Sequence, residues 1–470
     1  MRPVPLSVDL ENGVLPGLGS EIVTHRPPCS GQIQRWPAAG KSMIDSAIAA
    51  AREALDPWRA IGAQERLKSL QALGNQLKDH RDEMVDLLVE DIGKPIRYAR
   101  GEWARALALI DAAAQQVDAG QDRSPTETGY RREPLGVIAL IGPFNNPLAI
   151  PVGKIVPALL YSNAVIWKPA IPGTRIARRT AELFAAATNR PELLQVLGGG
   201  EGTARELMSS CDAVTLSGSL RTGRVAQEIC GVRQTPLQAE LGGNNASIVW
   251  RDADLPAAAS SIAEGAFAFA GQRCTANRRA IVEMGVYDRF LDELVAASAR
   301  LTWGDPTNEQ TQIGPLISSA SCTRVASVIE RAKKSSLIVM RPLEKSQTPP
   351  GDAWLSPAII CCDDPTHEVV QEETFGPVLV VQRAKDWEEA IWLGNCVEQG
   401  LAAALFSGST RLIEDFLRRA KAGILKINCS TADAAVDLPF GGWKASGIGP
   451  PEHGPANREF FTRMQAIYFP

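Results

Sequence analysis

Val137-Ile138-Ala139-Leu140-Ile141-Gly142-Pro143-Phe144-Asn145 opens the stretch that decides the fold. Five apolar residues in a row stop at Gly142-Pro143. The figure recurs three times downstream: Val165–Trp167 stops at Lys168-Pro169, Leu193–Leu197 at Gly198-Gly199-Gly200, and Val214–Leu216 at Ser217-Gly218-Ser219. Short apolar runs closed by turn residues read as strands buried on both faces. Between them lie residues at helical spacing, such as Ile176, Thr180, Leu183, Phe184 and Ala187. Strands alternating with helices predict βαβ units and a parallel sheet. In open sheets of this kind ligands bind outside the carboxyl ends of the strands, where the Gly and polar residues sit here. The pattern alone therefore predicts a nucleotide site.

Working outward, the first 40 residues are rich in Pro and Gly and read as irregular strands and turns. Ile44, Ile48, Ala51 and Leu55 then share one helix face, as do Leu67, Leu70, Leu73 and Leu77, and Gly93 with Pro95 closes that region. Downstream, residues 242–445 alternate again, with candidate strands at Ala246–Trp250, Ala280–Glu283, Val378–Val381 and Gly423–Ile427. This predicts a second α/β domain. No internal repeat, low-complexity tract or long linker interrupts the chain.

At 470 residues, two or three domains are expected at about 100–200 residues each. Apolar residues make up 45% and charged residues 22%, and the formal net charge of -4 supplies no basic field for nucleic acid or an anionic membrane. The nine cysteines are irregularly spaced, with no C-x-x-C, and the four histidines form no H-x-x-x-H, so no metal site is expected. Unpaired thiols point to a reducing compartment. Met1 to Gly13 carries no basic-then-apolar signal segment, and no run of about 18 apolar residues suggests a membrane span. The expected location is the cytoplasm.

Four places carry candidate chemistry. Cys274, in Gly271-Gln272-Arg273-Cys274-Thr275, follows the Ala/Phe-rich, helix-like run Ala263 to Ala270. A nearby positive charge or backbone donors would favour its thiolate and make it a nucleophile; the alternative is a buried structural cysteine. Glu240 ends a strand before Leu241-Gly242-Gly243 and is either a general base or a helix cap. Asn145, between Pro143 and Pro147, could donate to an oxyanion or simply shape the turn. Lys168 ends a buried strand and could hold a ribose or phosphate, or be solvated. Gly198–Gly202 is a weak phosphate-loop signal, and no G-x-G-x-x-G follows the first strand.

Taken together and in order, these elements resemble the aldehyde dehydrogenase superfamily over nearly the whole chain. The resemblance is carried by Gly93-Lys94-Pro95, the Pro143–Pro147 turn, Lys168-Pro169-Ala170, Ser217-Gly218-Ser219, Glu240-Leu241-Gly242-Gly243, Gly271-Gln272-Arg273-Cys274, Glu372-Glu373-Thr374-Phe375-Gly376-Pro377 and Pro439-Phe440-Gly441-Gly442. It implies two doubly wound α/β domains plus a small β oligomerisation arm. The cofactor domain would comprise 1–119 and 136–241, the catalytic domain 242–445, and the arm 120–135 with 455–470. It also implies NAD or NADP as cofactor and a small-molecule aldehyde as substrate. Cys274 would attack the aldehyde, Asn145 and the Cys274 N–H would hold the oxyanion, and Glu240 would activate the water that hydrolyses the thioester. Lys168, Pro143, Phe144, Ser219, Gly200, Leu241, Glu373 and Phe375 would line the cofactor site.

Three positions depart from the family pattern. Ile171 stands where many NAD-preferring members carry a Glu, so a 2′-phosphate meets no repulsion there, and Arg175 and Lys168 could welcome it. Phe144 replaces a common Trp, and Phe269 a frequent Asn. Locally the chain looks like succinylglutamate-semialdehyde dehydrogenase and is similar to pyrroline-5-carboxylate dehydrogenase, both of which take carboxylate-bearing semialdehydes. On that likeness Thr275, Gly442 and Phe440 are the substrate-binding candidates, Thr275 alternatively only packing. Strand pairing through Tyr130-Arg131-Arg132 and Glu459 to Tyr468 would give a homodimer or homotetramer. The rival readings are a CoA-acylating enzyme, which needs no hydrolytic base, and a catalytically silent member of the fold.

Overall fold

All five residues of Val137–Ile141 are buried, and the strand they form lies inside a six-stranded sheet. The order across that sheet is Gly447–Ile448, Leu237–Glu240, Ala213–Ser217, Val137–Ile141, Ala164–Lys168, Leu194–Val196. Every neighbouring pair is parallel except Gly447–Ile448, which runs antiparallel beside Glu240. The chain builds outward from Val137–Ile141 in one direction and then crosses to its other side at Ala213–Ser217. Their carboxyl ends, Gly142-Pro143 and Gly218-Ser219, therefore flank a topological switch point. The computed structural model describes residues 21–117, 128–343, 349 and 351–470. The expected leader-free start, Met1 to Gly13, and the 120–127 part of the arm lie outside them.

A second sheet of seven strands takes the order Ile338–Met340, Ala358–Cys361, Val378–Ala384, Asn277–Glu283, Asn245–Val249, Ala402–Phe406, Ile424–Ile427. Only the Ile338–Met340 edge is antiparallel. Alternate residues of its strands enter different cores: Val249, Ala280 and Val282 join one cluster, Ala246, Ile248 and Ile281 the other. That alternation is the strand period of two with both faces covered. A third core, drawn from Ala39 to Leu241 together with Phe269, Ile317, Phe460 and Phe461, surrounds the first sheet. The chain thus has the two-sheet α/β architecture that the sequence pattern predicts.

Three sequence expectations are corrected. Gly93, left-handed at φ 70, ends the Arg81–Ile92 helix, but a new helix, Ile96–Ala112, starts directly after Pro95. The Ala/Phe-rich run is helical only to Phe267, and Phe269 (φ 53), Ala270 (φ 53) and Gly271 (φ 67) then turn left-handed in succession. Ala358–Cys361 and Ala402–Phe406 are buried strands that the sequence reading passes over. The outlying ribbon pairs Gly129–Pro134 with Thr462–Ile467. Among the described residues no helix is long and apolar enough to cross a membrane.

Candidate active site

One cavity of about 1060 Å³ opens between the two sheets. Cys274, Glu240 and Asn145 all line it, as do Lys168, Gly200 and Ser219. Residues separated by more than a hundred positions in sequence therefore share one space. The first sheet contributes carboxyl ends of strands, as expected. The second contributes mainly segments that precede its strands: Gly242 before Asn245–Val249, Cys274 before Asn277–Glu283, and Glu373 before Val378–Ala384.

The loop bearing Cys274 is held from several sides. Asn245 Nδ2 donates to the carbonyls of Cys274 and Ala276, both at 2.8 Å. Gln272 donates to Pro315 O at 3.1 Å and accepts from Ile317 N at 2.8 Å. A Cβ on Gly271 would lie 2.4 Å from Gly376 O, so the left-handed turn admits only glycine there. Asn145 Nδ2 donates to Gln272 O at 2.9 Å. That bond engages one amide hydrogen and aims the other. Among the described residues the Cys274 N–H donates to no backbone oxygen, so a backbone donor is left for a ligand.

The electrostatics differ from the sequence expectation. Burial, then the carboxylates of Glu373, Glu240 and Glu452, push the Cys274 thiol up to about 12, against one N–H from Thr275. Arg273 gives little help, because its guanidinium lies 4.8 Å from the Tyr98 ring centroid. Glu240 is raised well above the ordinary carboxylate range by burial and by Glu452, while Lys154 and the Gly442 N–H oppose the shift. Behind it, Glu452 is ion-paired with the buried Lys154, which also donates to Thr215 Oγ at 2.9 Å.

Gly442 N donates to Glu240 Oε2 at 3.1 Å, and Gly442 is not part of the cavity wall. The amide expected to meet a substrate carboxylate instead holds the candidate base. Thr275 lines the cavity, but its hydroxyl donates to Ala432 O at 2.8 Å. Of the three substrate-side candidates, only Phe440 faces the cavity without such an engagement.

A cofactor would meet a wall with matching features. Lys168 is buried, its Nζ has no hydrogen-bond or ion-pair partner among the described residues, and burial alone lowers it to about 8. An unpartnered buried ammonium facing a cavity is costly unless a ligand completes it. Ser219 caps the Leu220–Arg233 helix, whose N-terminus suits an anion. Gly200 precedes the Glu201–Ser210 helix. Glu373 accepts from Gly243 N at 3.2 Å, and a Cβ on Gly242 would lie 2.0 Å from its Oε2. The Gly-Gly after Leu241 is thus the seat of that carboxylate. Pro143, Phe144, Leu241 and Phe375 line the same cavity, the two Phe rings meeting edge-on at 5.8 Å. These residues fit a dinucleotide with an anionic bridge and ribose hydroxyls. Ile171 lines the cavity as expected, but Arg175 does not reach it and pairs instead with Glu90 and Asp91.

Sequence reasoning missed Glu102. It is ion-paired with Lys94 and accepts from Leu148 N at 2.9 Å and Ala149 N at 3.1 Å. Lys94 in turn donates to Asn146 Oδ1 at 2.8 Å. Together they pin the turn that carries Asn145. It also missed Arg105, Glu452 and His453, which line the cavity. No spacing in the sequence connects them to the other site residues.

The model of the aldehyde dehydrogenase family matches residues 17–467. The chain belongs to the aldehyde dehydrogenase family. It is 33% identical over 441 residues to alpha-ketoglutaric semialdehyde dehydrogenase of Bacillus subtilis, covering 90% of this chain and 89% of the relative. It is 32% identical over 433 residues to 1-pyrroline-5-carboxylate dehydrogenase 1 of Halalkalibacterium halodurans, covering 89% and 84%. Among solved structures it is similar to NAD-dependent aldehyde dehydrogenase from Sinorhizobium meliloti, with TM-score 0.89, 29% identity and coverage of 95% and 91%. The NADP complex of NADP-dependent glyceraldehyde-3-phosphate dehydrogenase from Bacillus halodurans gives TM-score 0.87 at 29% identity, with 95% of each chain covered. As an aldehyde dehydrogenase the chain therefore has both NAD- and NADP-using neighbours.

Proposed function

We propose that this aldehyde dehydrogenase oxidises a carboxylate-bearing semialdehyde to the acid, with NAD or NADP, through a thioester on Cys274. The observation that carries the reading is that Cys274, Glu240 and Asn145 share one cavity with the unpartnered Lys168. The cofactor, when bound, accepts the hydride. The chain's own residues do the rest. Cys274 releases its proton to water in the cavity, the thiolate Sγ bonds to the aldehyde carbon, and the oxygen, now an alkoxide, takes hydrogen bonds from Asn145 Nδ2 and the Cys274 N–H. Loss of hydride restores the carbonyl as a thioester. Glu240 then takes a proton from water, the hydroxide adds to the thioester carbon, and the Cys274 sulfur leaves. A carboxylate whose proton affinity is raised by burial is suited to that task. Glu240 in the cavity supports hydrolysis over transfer to CoA.

Glu240→Gln is expected to release a first equivalent of reduced cofactor at near wild-type rate and then stall, with steady turnover down roughly 100-fold or more. Rapid-mixing absorbance reads both phases. Loss of burst and turnover together overturns the assignment of Glu240 to hydrolysis, and activity in Cys274→Ala overturns the reaction.

The semialdehyde part of the reading is supported by relatives named for semialdehyde substrates. We further propose a homodimer or homotetramer built through the Gly129–Pro134 and Thr462–Ile467 ribbon, whose Tyr130 and Met464 are exposed apolar side chains. Nine free cysteines support a reducing location such as the cytoplasm.

A further inference from the structure

Arg278, the second residue of the Asn277–Glu283 strand, is buried, and among the described residues no carboxylate lies within ion-pair distance of it. Its guanidinium donates to carbonyls instead: Nη1 to Gly376 O at 2.7 Å, and Nη2 to Gly271 O and, at 3.3 Å, to Arg273 O. Nε has no partner. Carbonyls neutralise no charge, and a buried charge without a counterion is costly. Packing alone would be served better by an apolar side chain of similar size.

The three carbonyls belong to two turns that carry different parts of the site. Gly271 and Arg273 precede Cys274, and Gly271 is left-handed at φ 67. Gly376 follows Glu373 and Phe375, and Phe375 is left-handed at φ 44. Phenylalanine is strained in that conformation and keeps it only where its surroundings enforce it. The two turns meet, since a Cβ on Gly271 would lie 2.4 Å from Gly376 O. Arg278 spans them, its guanidinium 5.8 Å from the Phe375 ring centroid.

Glu373 feels the same group. Burial raises its carboxyl to about 7, and Arg278, the Gly243 N–H and Arg324 resist the rise, in that order. Arg324, on the Ser319–Lys334 helix, donates to Thr374 O at 2.8 Å. Cys274, the other titratable group facing Glu373, is raised to about 12 and carries no charge near neutrality.

We propose that Arg278 is the positioning residue that joins the cofactor seat to Cys274, holding the Phe375-Gly376 turn on the Cys274 loop and supplying Glu373 with the positive field that keeps it a carboxylate. The inference rests on the reading of Glu373 as a cofactor contact. A ribose hydroxyl donates more strongly to a carboxylate than to the neutral acid. Cofactor affinity therefore follows the charge of Glu373, and that charge follows Arg278.

The test is the dissociation constant of NADH and of NADPH, read by nucleotide fluorescence on the full chain across neutral pH, without aldehyde. Wild-type affinity should fall roughly tenfold from pH 8 to pH 6, with a midpoint near 7. Glu373→Gln should bind more weakly at pH 8 and lose this dependence, which also isolates any titration of the NADPH phosphate. Arg278→Gln should move the midpoint up by about one pH unit. Arg278→Lys keeps a charge but cannot reach both turns, so it should return the midpoint toward 7 while affinity at pH 8 stays roughly tenfold below wild type. If Glu373→Gln removes the pH dependence but Arg278→Gln weakens binding evenly at every pH, Arg278 only packs and the inference is overturned. Where Arg278→Gln does not fold, Arg278→Lys decides, and wild-type affinity at pH 8 overturns the tether. If Glu373→Gln binds like wild type at every pH, the reading of Glu373 as a cofactor contact is itself overturned.

Discussion

Burial, then three facing carboxylates, hold Cys274 as a thiol at neutral pH. Its reaction with iodoacetamide should accordingly be slow at pH 7 and climb through pH 9 without levelling, since only the thiolate reacts. A plateau below pH 8 would contradict that environment. The Gln272-Arg273-Cys274 motif marked Cys274 as a candidate nucleophile through the family resemblance, but the sign of its surroundings was not legible. Arg273 is adjacent in the chain yet turned onto Tyr98, while Glu373 and Glu452 are remote in the chain and close in space. The Gly-Gly after Glu240 was visible in sequence, and the structure gives it a local steric reason: the Glu373 carboxylate occupies the place of a side chain on Gly242.

At the scale of elements, the turn bearing Asn145 is fixed by a helix that never touches it in sequence. Glu102 on the Ile96–Ala112 helix caps the start of Ala149–Leu160 and pairs with Lys94. Glu102→Ala should leave a buried ammonium uncompensated and cost about 3–5 kcal/mol, measured by urea denaturation. A cost below about 1 kcal/mol would mean that the turn holds itself. Lys94 was visible within Gly93-Lys94-Pro95, but its partner depends on how two helices pack, which no local pattern encodes. The strands of the first half were legible because each is a short apolar run cut off by Gly or Pro. Ala402–Phe406 escaped notice because alanines supply most of it and propensity says little of alanine in a strand. The Phe269-Ala270-Gly271 turn was likewise read as helix, since Ala and Phe carry no signal for left-handed backbone; each non-glycine residue there costs about 1 kcal/mol.

For the molecule as a whole, His453 makes acid costly. In the unfolded chain a histidine gains its proton near 6.5, whereas in the fold His453 does so only near 3. Between those values the unfolded state binds the extra proton, so this group's effect on stability is nil above 6.5 and grows more unfavourable as pH falls toward 3. His453→Asn should remove that sensitivity, and between pH 7 and pH 5 the wild type should lose about 2 kcal/mol more than the variant in urea denaturation. Equal losses would show that the ring is hydrated.

The chain crosses between the two sheets along one seam. The chain leaves the first sheet through Leu241–Asn244, and it returns at Gly447–Ile448 beside the strand it left. The two passages are tied to each other, Leu241 N to Ser446 O at 2.9 Å and Ser446 Oγ to Gly242 O at 2.7 Å. They close like a clasp: with Asn145 also bonded across to Gln272, the halves cannot slide past one another without breaking these bonds. Glu240 sits at this clasp, paired with Gly447 and bonded to Gly442 N, so the candidate base is held to both passages at once.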